Sequence, residues 1–108
     1  MLQGTIVESS LVDPEILKDL AILKSWPDGT WNLHQVSLTR EQAIGLGKYL
    51  ADGAWYMHFW EPGEDDVLVV FKNKTFHIKH SDKTTWKNAV EYGRSMGIPE
   101  EQLDFLIY

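Results

Sequence analysis

GAWYMHFW, residues 53–60, crowds aromatic rings, a methionine and a histidine into consecutive positions. In a strand, neighbouring side chains point to opposite faces. Trp55, Met57 and Phe59 would then share one side, and Tyr56, His58 and Trp60 the other. The first set is wholly apolar and is expected to meet covering helices. Val67, Val69 and Phe71 are expected to extend it on the next strand, followed by Phe76 and Ile78. Each member of the second set carries a polar tip: a phenol, an imidazole, an indole. Thr75, His77 and Lys79 would continue this side, with Leu68 and Val70 keeping it partly apolar. Such a surface suits an interface, where rings supply area and polar tips supply direction. The same residues also suit an outer sheet face packed under a loop or a tail.

Outward from this stretch, the polar turn EPGEDD (61–66) leads into VLVVFK (67–72), and a tight turn at Asn73-Lys74 leads into TFHIKH (75–80). Upstream, TIVESS (5–10) alternates as a short strand, and Asp13-Pro14-Glu15 reads as an N-cap, a first-position proline and a first-turn acid. AILKSW (21–26) and TWNLHQVSL (30–38) flank the turn signal Pro27-Asp28-Gly29, which predicts a hairpin. Thr39-Arg40-Glu41-Gln42 is a capping box, opening a helix expected to reach Ala51 with Ala43, Leu46, Gly47 and Leu50 on one side. Ser81-Asp82 opens the last long helix, striped by Trp86, Ala89, Val90, Gly93 and Met96 and stopped by Gly97 and Pro99. Phe105, Leu106, Ile107 and Tyr108 are expected to dock on the body.

The resulting order, β-α-β-β-α-β-β-β-α, predicts a single α+β domain spanning residues 1–108. A mostly antiparallel sheet of five to six strands would carry helices packed on one face. A chain of 108 residues, 44% hydrophobic and 24% charged, is enough for one globular core.

Composition excludes several chemistries. No cysteine is present, so thiolate metal sites, disulfides and cysteine nucleophiles are absent. The start MLQGTIVESS has neither the basic nor the apolar region of a secretory signal, and no apolar run approaches the roughly 20 residues of a membrane-spanning helix. A cytoplasmic protein without membrane association is therefore expected. The net charge of −6 argues against binding a phosphate backbone. Five lysines and two histidines between Lys72 and Lys87 are the local exception, read first as a solvated strand edge and helix start.

The four histidines, His34, His58, His77 and His80, are the candidate soft metal ligands. A His34–His58–His77 cluster near Glu61 or Asp65 is geometrically conceivable for zinc, yet no metal motif such as H-E-x-x-H occurs. No metal or cofactor is assigned. None of the serines, Ser25 among them, sits in a nucleophile elbow, so no catalytic residue is assigned either. The run Glu64-Asp65-Asp66 reads as a solvated hairpin tip.

The phrases IVESSL, TWNLHQVSL, VVFKNKTFHI and EYGRSMGIPEEQLDF resemble a family of small prokaryotic proteins of about this length, itself uncharacterised. The resemblance implies a bacterial or archaeal cytosolic origin and brings no activity, cofactor or site residue. The functional expectation from the residues is a non-enzymatic binding domain. Its contact face would be Tyr56, His58, Trp60, His77 and Lys79, joined by Trp31 or His34 according to register. A protein partner is expected ahead of a small ligand. The alternative is a small hydrolytic or metal-dependent enzyme using the histidines with Glu64, Asp65 or Asp66.

Overall fold

The computed structural model describes residues 1–103. Six strands form one sheet, antiparallel at every pairing: β1 (Leu2–Val7), β2 (Ala21–Asp28), β3 (Trp31–Leu38), β4 (Met57–Trp60), β5 (Asp66–Phe71) and β6 (Lys74–Lys79). Their spatial order is β2-β3-β1-β4-β5-β6. The single α+β domain with an antiparallel sheet is as the sequence predicts.

Local chemistry sets the element ends. Gly29 at φ 63° beside Thr30, whose φ is negative, makes the two-residue β2–β3 turn type II′, whose twist matches the flanking strands. Asp13 accepts from the Glu15 amide at 3.0 Å and caps a 3₁₀ turn over Pro14–Asp19. The capping box forms as predicted: the Gln42 amide donates to Thr39 Oγ1 at 3.1 Å, and the Thr39 amide donates to Gln42 Oε1 at 2.9 Å. It opens α1 (Arg40–Gly45), which tightens into a 3₁₀ turn over Leu46–Tyr49 instead of continuing as α-helix to Ala51. Asp82 caps the 3₁₀ turn Lys83–Trp86, which feeds α2 (Lys87–Ser95). Gly97, at φ 89°, closes α2: its amide donates to Arg94 O, and the Ile98 amide donates to Gly93 O.

Two separate cores flank the sheet. On the face that carries Phe59, Met57, Leu68, Val70, Val36, Leu38 and Ile6 pack beneath Leu11, Leu17, Ala43, Leu46 and Leu50. On the opposite face, which carries Trp60, Val67, Val69, Phe71 and Ile78 pack beneath Trp86, Ala89, Ile98 and Leu103. The helices therefore divide between the faces, with α1 on the Phe59 side and α2 on the Trp60 side, which corrects the expectation of helices on one face. The reason lies in β5. Val67 to Phe71 is apolar at every position and buried throughout, so both of its faces require a cover.

The register also differs from the sequence reading. Met57 lies opposite Val70 and Phe59 opposite Leu68, while His58 lies opposite Val69 and Trp60 opposite Val67. Val67, Val69 and Phe71 thus extend the Tyr56–His58–Trp60 side. A one-residue change in pairing moves a whole strand set to the other face. The β5 run offers no alternation to fix that choice. The tight turn before β6 falls at Lys72-Asn73, with Phe71 opposite Lys74, and needs no left-handed residue. The expected docking of Phe105, Leu106, Ile107 and Tyr108 lies outside the described residues.

Candidate functional site

The residues expected to share one contact face are distributed over three places. Tyr56, His58 and Trp60 do line up along β4, as alternation requires: His58 stacks on Tyr56 at 6.2 Å and on Trp60 at 5.5 Å between ring centroids. This is the face covered by α2. Trp60 is 2% exposed, His58 and Tyr56 are half-buried, and the Tyr56 hydroxyl donates to the carbonyl of Gln102. The aromatic ladder is a wall of the second core, not an open surface.

His77 and Lys79 stand on the other face, since His77 lies opposite Leu68 and Lys79 opposite Asp66. Both are exposed at the β6 edge. Arg40 Nη1 contacts His77 Nδ1 at 2.9 Å, and Lys79 pairs with Asp66 at 3.0 Å, which raises the Lys79 ammonium above its ordinary range. Trp31 packs on Trp55 with centroids 5.8 Å apart. His34 lies opposite Ile6 on the Phe59 side, two strands from β4. The His34–His58–His77 cluster is therefore not assembled: His58 is on the opposite face from the other two, and β3 and β6 lie in different halves of the sheet. Among the described residues, no group of three or more histidine, aspartate or glutamate side chains is placed to hold a metal ion.

Two members of the acidic run, Asp65 and Asp66, are occupied by structural bonds. Asp65 accepts from the Ser81 hydroxyl at 2.6 Å and the Ser81 amide at 2.9 Å, and these bonds hold its carboxyl below the usual carboxylate range. Asp66 is the partner of Lys79. The run fastens the β4–β5 connection to the segment after β6.

The least covered part of the molecule is the β2–β3 hairpin. β2 is an edge strand bonded only to β3, and every residue in it except Trp26 is exposed. It nevertheless carries Ile22 and Leu23, 43% and 52% exposed, with Trp31 across the turn also 43% exposed. Leu23 is the extra residue of a bulge: Ile22 pairs with Val36 and Lys24 with Gln35, and Leu23 has no opposite number. On the Trp60 side the second core draws on β4, β5 and β6 and stops there, so the β1–β3–β2 flank is left without a helix among the described residues. A cleft of about 350 Å³ lies on that flank, lined by Thr5, Lys24, Trp26 and Gln35, with the Lys24 ammonium 5.1 Å from the centre of the Trp26 ring.

A second cleft, of about 250 Å³, is lined by Glu8, Ser25, Trp26, Pro27, Asn32 and His34. Ser25 lies directly opposite His34 in the hairpin, and Ser25 Oγ is 2.6 Å from His34 Nδ1. His34 Nε2 is 3.3 Å from Glu8 Oε1, and Asn32 Nδ2 is 3.4 Å from Glu8 Oε2. The Glu8 carboxylate only accepts, so Nε2–H donates to it, and in the neutral ring Nδ1 is the acceptor for the Ser25 hydroxyl. Sequence reasoning singled out His34 but missed Ser25 and Glu8. One signal was available, because a two-residue turn at Gly29-Thr30 fixes Ser25 opposite His34. Nothing in the sequence brings Glu8 to them, since it arrives from the end of β1.

Comparison with protein-family models, with curated proteins and with solved structures finds no match, so the function is argued from this geometry alone.

Proposed function

We propose that the chain is a cytosolic protein-interaction domain that grips its partner with the β2–β3 hairpin. One observation carries the reading: β2 leaves Ile22 and Leu23 in water, although the sheet has two well-filled cores. Fully burying an aliphatic side chain is worth about 1.5–3 kcal/mol, so finishing the burial of these two half-exposed ones is worth about 2 kcal/mol. That is roughly thirtyfold in affinity. The hairpin also carries the devices that stop sheets from adding strands to one another. The bulge at Leu23, the charge of Lys24 and the missing amide of Pro27 all interrupt the β2 edge. The grip is therefore through side chains. The cleft between Trp26 and Gln35 supplies a seat for one side chain of the partner. The acidic balance of the chain favours a partner whose apolar patch has a basic rim. The absence of any helix long and apolar enough to cross a membrane among the described residues is compatible with this setting.

The test is site-specific photo-crosslinking in the cells that make the protein. A benzoylphenylalanine at position 23 is expected to capture one discrete partner, and Ile22→Ser in the same chain is expected to lower capture about fivefold. The control is the same probe at Ile44, which is 43% exposed on α1. Equal capture from positions 23 and 44 refutes the proposal.

A further inference from the structure

The hairpin carries a second feature that docking does not explain. Ser25, His34 and Glu8 form a chain of hydrogen-bonding contacts that ends in an accessible cleft. Ser25 is exposed, the His34 side chain is only 13% exposed, and the Glu8 side chain is 38% exposed. The reactive end is therefore open while the imidazole is held between two partners. A serine hydroxyl bonded to an imidazole nitrogen, with a carboxylate on the other ring nitrogen, is the arrangement that activates an oxygen nucleophile. Here Nδ1 faces the serine and Nε2 the carboxylate. Either ring nitrogen can take the proton, so the order does not alter the chemistry.

A structural role accounts for less of this geometry. A cross-strand serine–histidine pair would stabilise a hairpin alone, and a single glutamate would anchor the imidazole. Neither role requires that the hydroxyl open into a cleft whose walls include a further amide donor, Asn32, and the apolar ring of Pro27.

We propose that Ser25, His34 and Glu8 form an acyl-transfer site that hydrolyses small uncharged carboxylic esters. Ser25 Oγ attacks the ester carbonyl carbon as His34 Nδ1 takes its proton, giving a tetrahedral oxyanion. The Asn32 amide, held only by a 3.4 Å contact to Glu8, is the side-chain donor on the cleft wall that can turn to this oxygen. Collapse breaks the bond to the alkoxy group, which leaves as the alcohol with the proton from His34. Water, deprotonated by the same nitrogen, then attacks the acyl-Ser25 carbonyl carbon, and the acyl–Oγ bond breaks as His34 returns that proton to Ser25 Oγ, releasing the acid. Glu8 touches no substrate and is a positioning residue that fixes the imidazole with its acceptor nitrogen toward Ser25.

The experiment uses the whole chain, with diisopropyl fluorophosphate as the probe and 4-nitrophenyl acetate as the substrate. Intact-mass analysis is expected to show one phosphoryl adduct, mapped by peptide sequencing to Ser25, because an unactivated surface serine does not react. Ester hydrolysis is expected to fall by about 100-fold or more in Ser25→Ala and in His34→Gln, the span usual for losing a nucleophile or a general base. Glu8→Gln should lower kcat and leave KM unchanged, a split that a purely structural contact would not produce. Circular dichroism melts on each variant separate a lost site from a lost fold. Labelling of the unmodified chain needs no variant to fold. No adduct on Ser25, or hydrolysis unchanged in a folded Ser25→Ala chain, overturns the proposal.

Discussion

Replacing Trp60 by alanine distinguishes a core ladder from a surface one. Trp60 is 2% exposed, opposite Val67 on β5 and stacked on His58, in the core under α2. A buried aromatic ring hides about 150–250 Å². At about 25 cal/mol per Å² this is roughly 4–6 kcal/mol of transfer free energy. Partial collapse of the site brings the expected cost of Trp60→Ala to about 3–5 kcal/mol. A domain of this size has about 5–15 kcal/mol in total, so the variant should be marginal. At about 4 °C per kcal/mol the melting temperature should drop by roughly 12–20 °C. Leu23→Ala is the control. Leu23 is 52% exposed on a bulge, and its truncation should cost less than about 1 kcal/mol. Urea titrations followed by far-ultraviolet circular dichroism give both values, provided the slope m is unchanged. A Trp60→Ala chain within about 1 kcal/mol of the parent would refute the placement of the ladder in the core and restore it as an open contact face.

Two further outcomes follow from particular contacts. Gly45 and Gly47 stand two residues apart where α1 tightens, yet alanine should act oppositely at them. A Cβ at Gly45 meets nothing within 4 Å, so Gly45→Ala should stabilise by about 0.5–1 kcal/mol. A Cβ at Gly47 would lie 2.8 Å from the Phe71 carbonyl oxygen, which is backbone and cannot step aside, so Gly47→Ala should destabilise by about 1–3 kcal/mol. Calorimetric melts that shift in the same direction would contradict this. The second outcome concerns acid. Hydrogen bonds from Ser81 depress the Asp65 carboxyl in the folded state, so its contribution is present above the unfolded carboxylate range and is lost as pH falls through the depressed folded value. Ser81→Ala should therefore narrow the stability difference between neutral and acid solution. An unchanged acid limb in the pH–stability curve would show that the bond contributes nothing.

Some of this molecule was legible without coordinates because its signals are local. Thr39 with Gln42, Asp13 before Pro14, and Gly97 before Pro99 fix element ends through bonds made within a few residues, and each forms as read. The β2–β3 hairpin also forms, but its turn is Gly29-Thr30, because Pro27 and Asp28 pair within β2 with Asn32 and Trp31. Alternation also placed Tyr56, His58 and Trp60 together on one face of β4. It could not say which face of β5 they would join, because Val67 to Phe71 is apolar on both sides. That choice belongs to the pairing of Trp60 with Val67, and the division of α1 and α2 between the faces follows from it. The candidate site was the least legible part. Ser25 and His34 meet through hairpin register, but Glu8 reaches them only because β3 lies between β1 and β2 in the sheet. The sequence by itself determined the caps, the element order and the alternation along each strand, since these depend on neighbours in the chain. Only the tertiary structure decided which faces are covered, which strand stands exposed and which distant side chains meet, since those depend on how separate strands are ordered and packed.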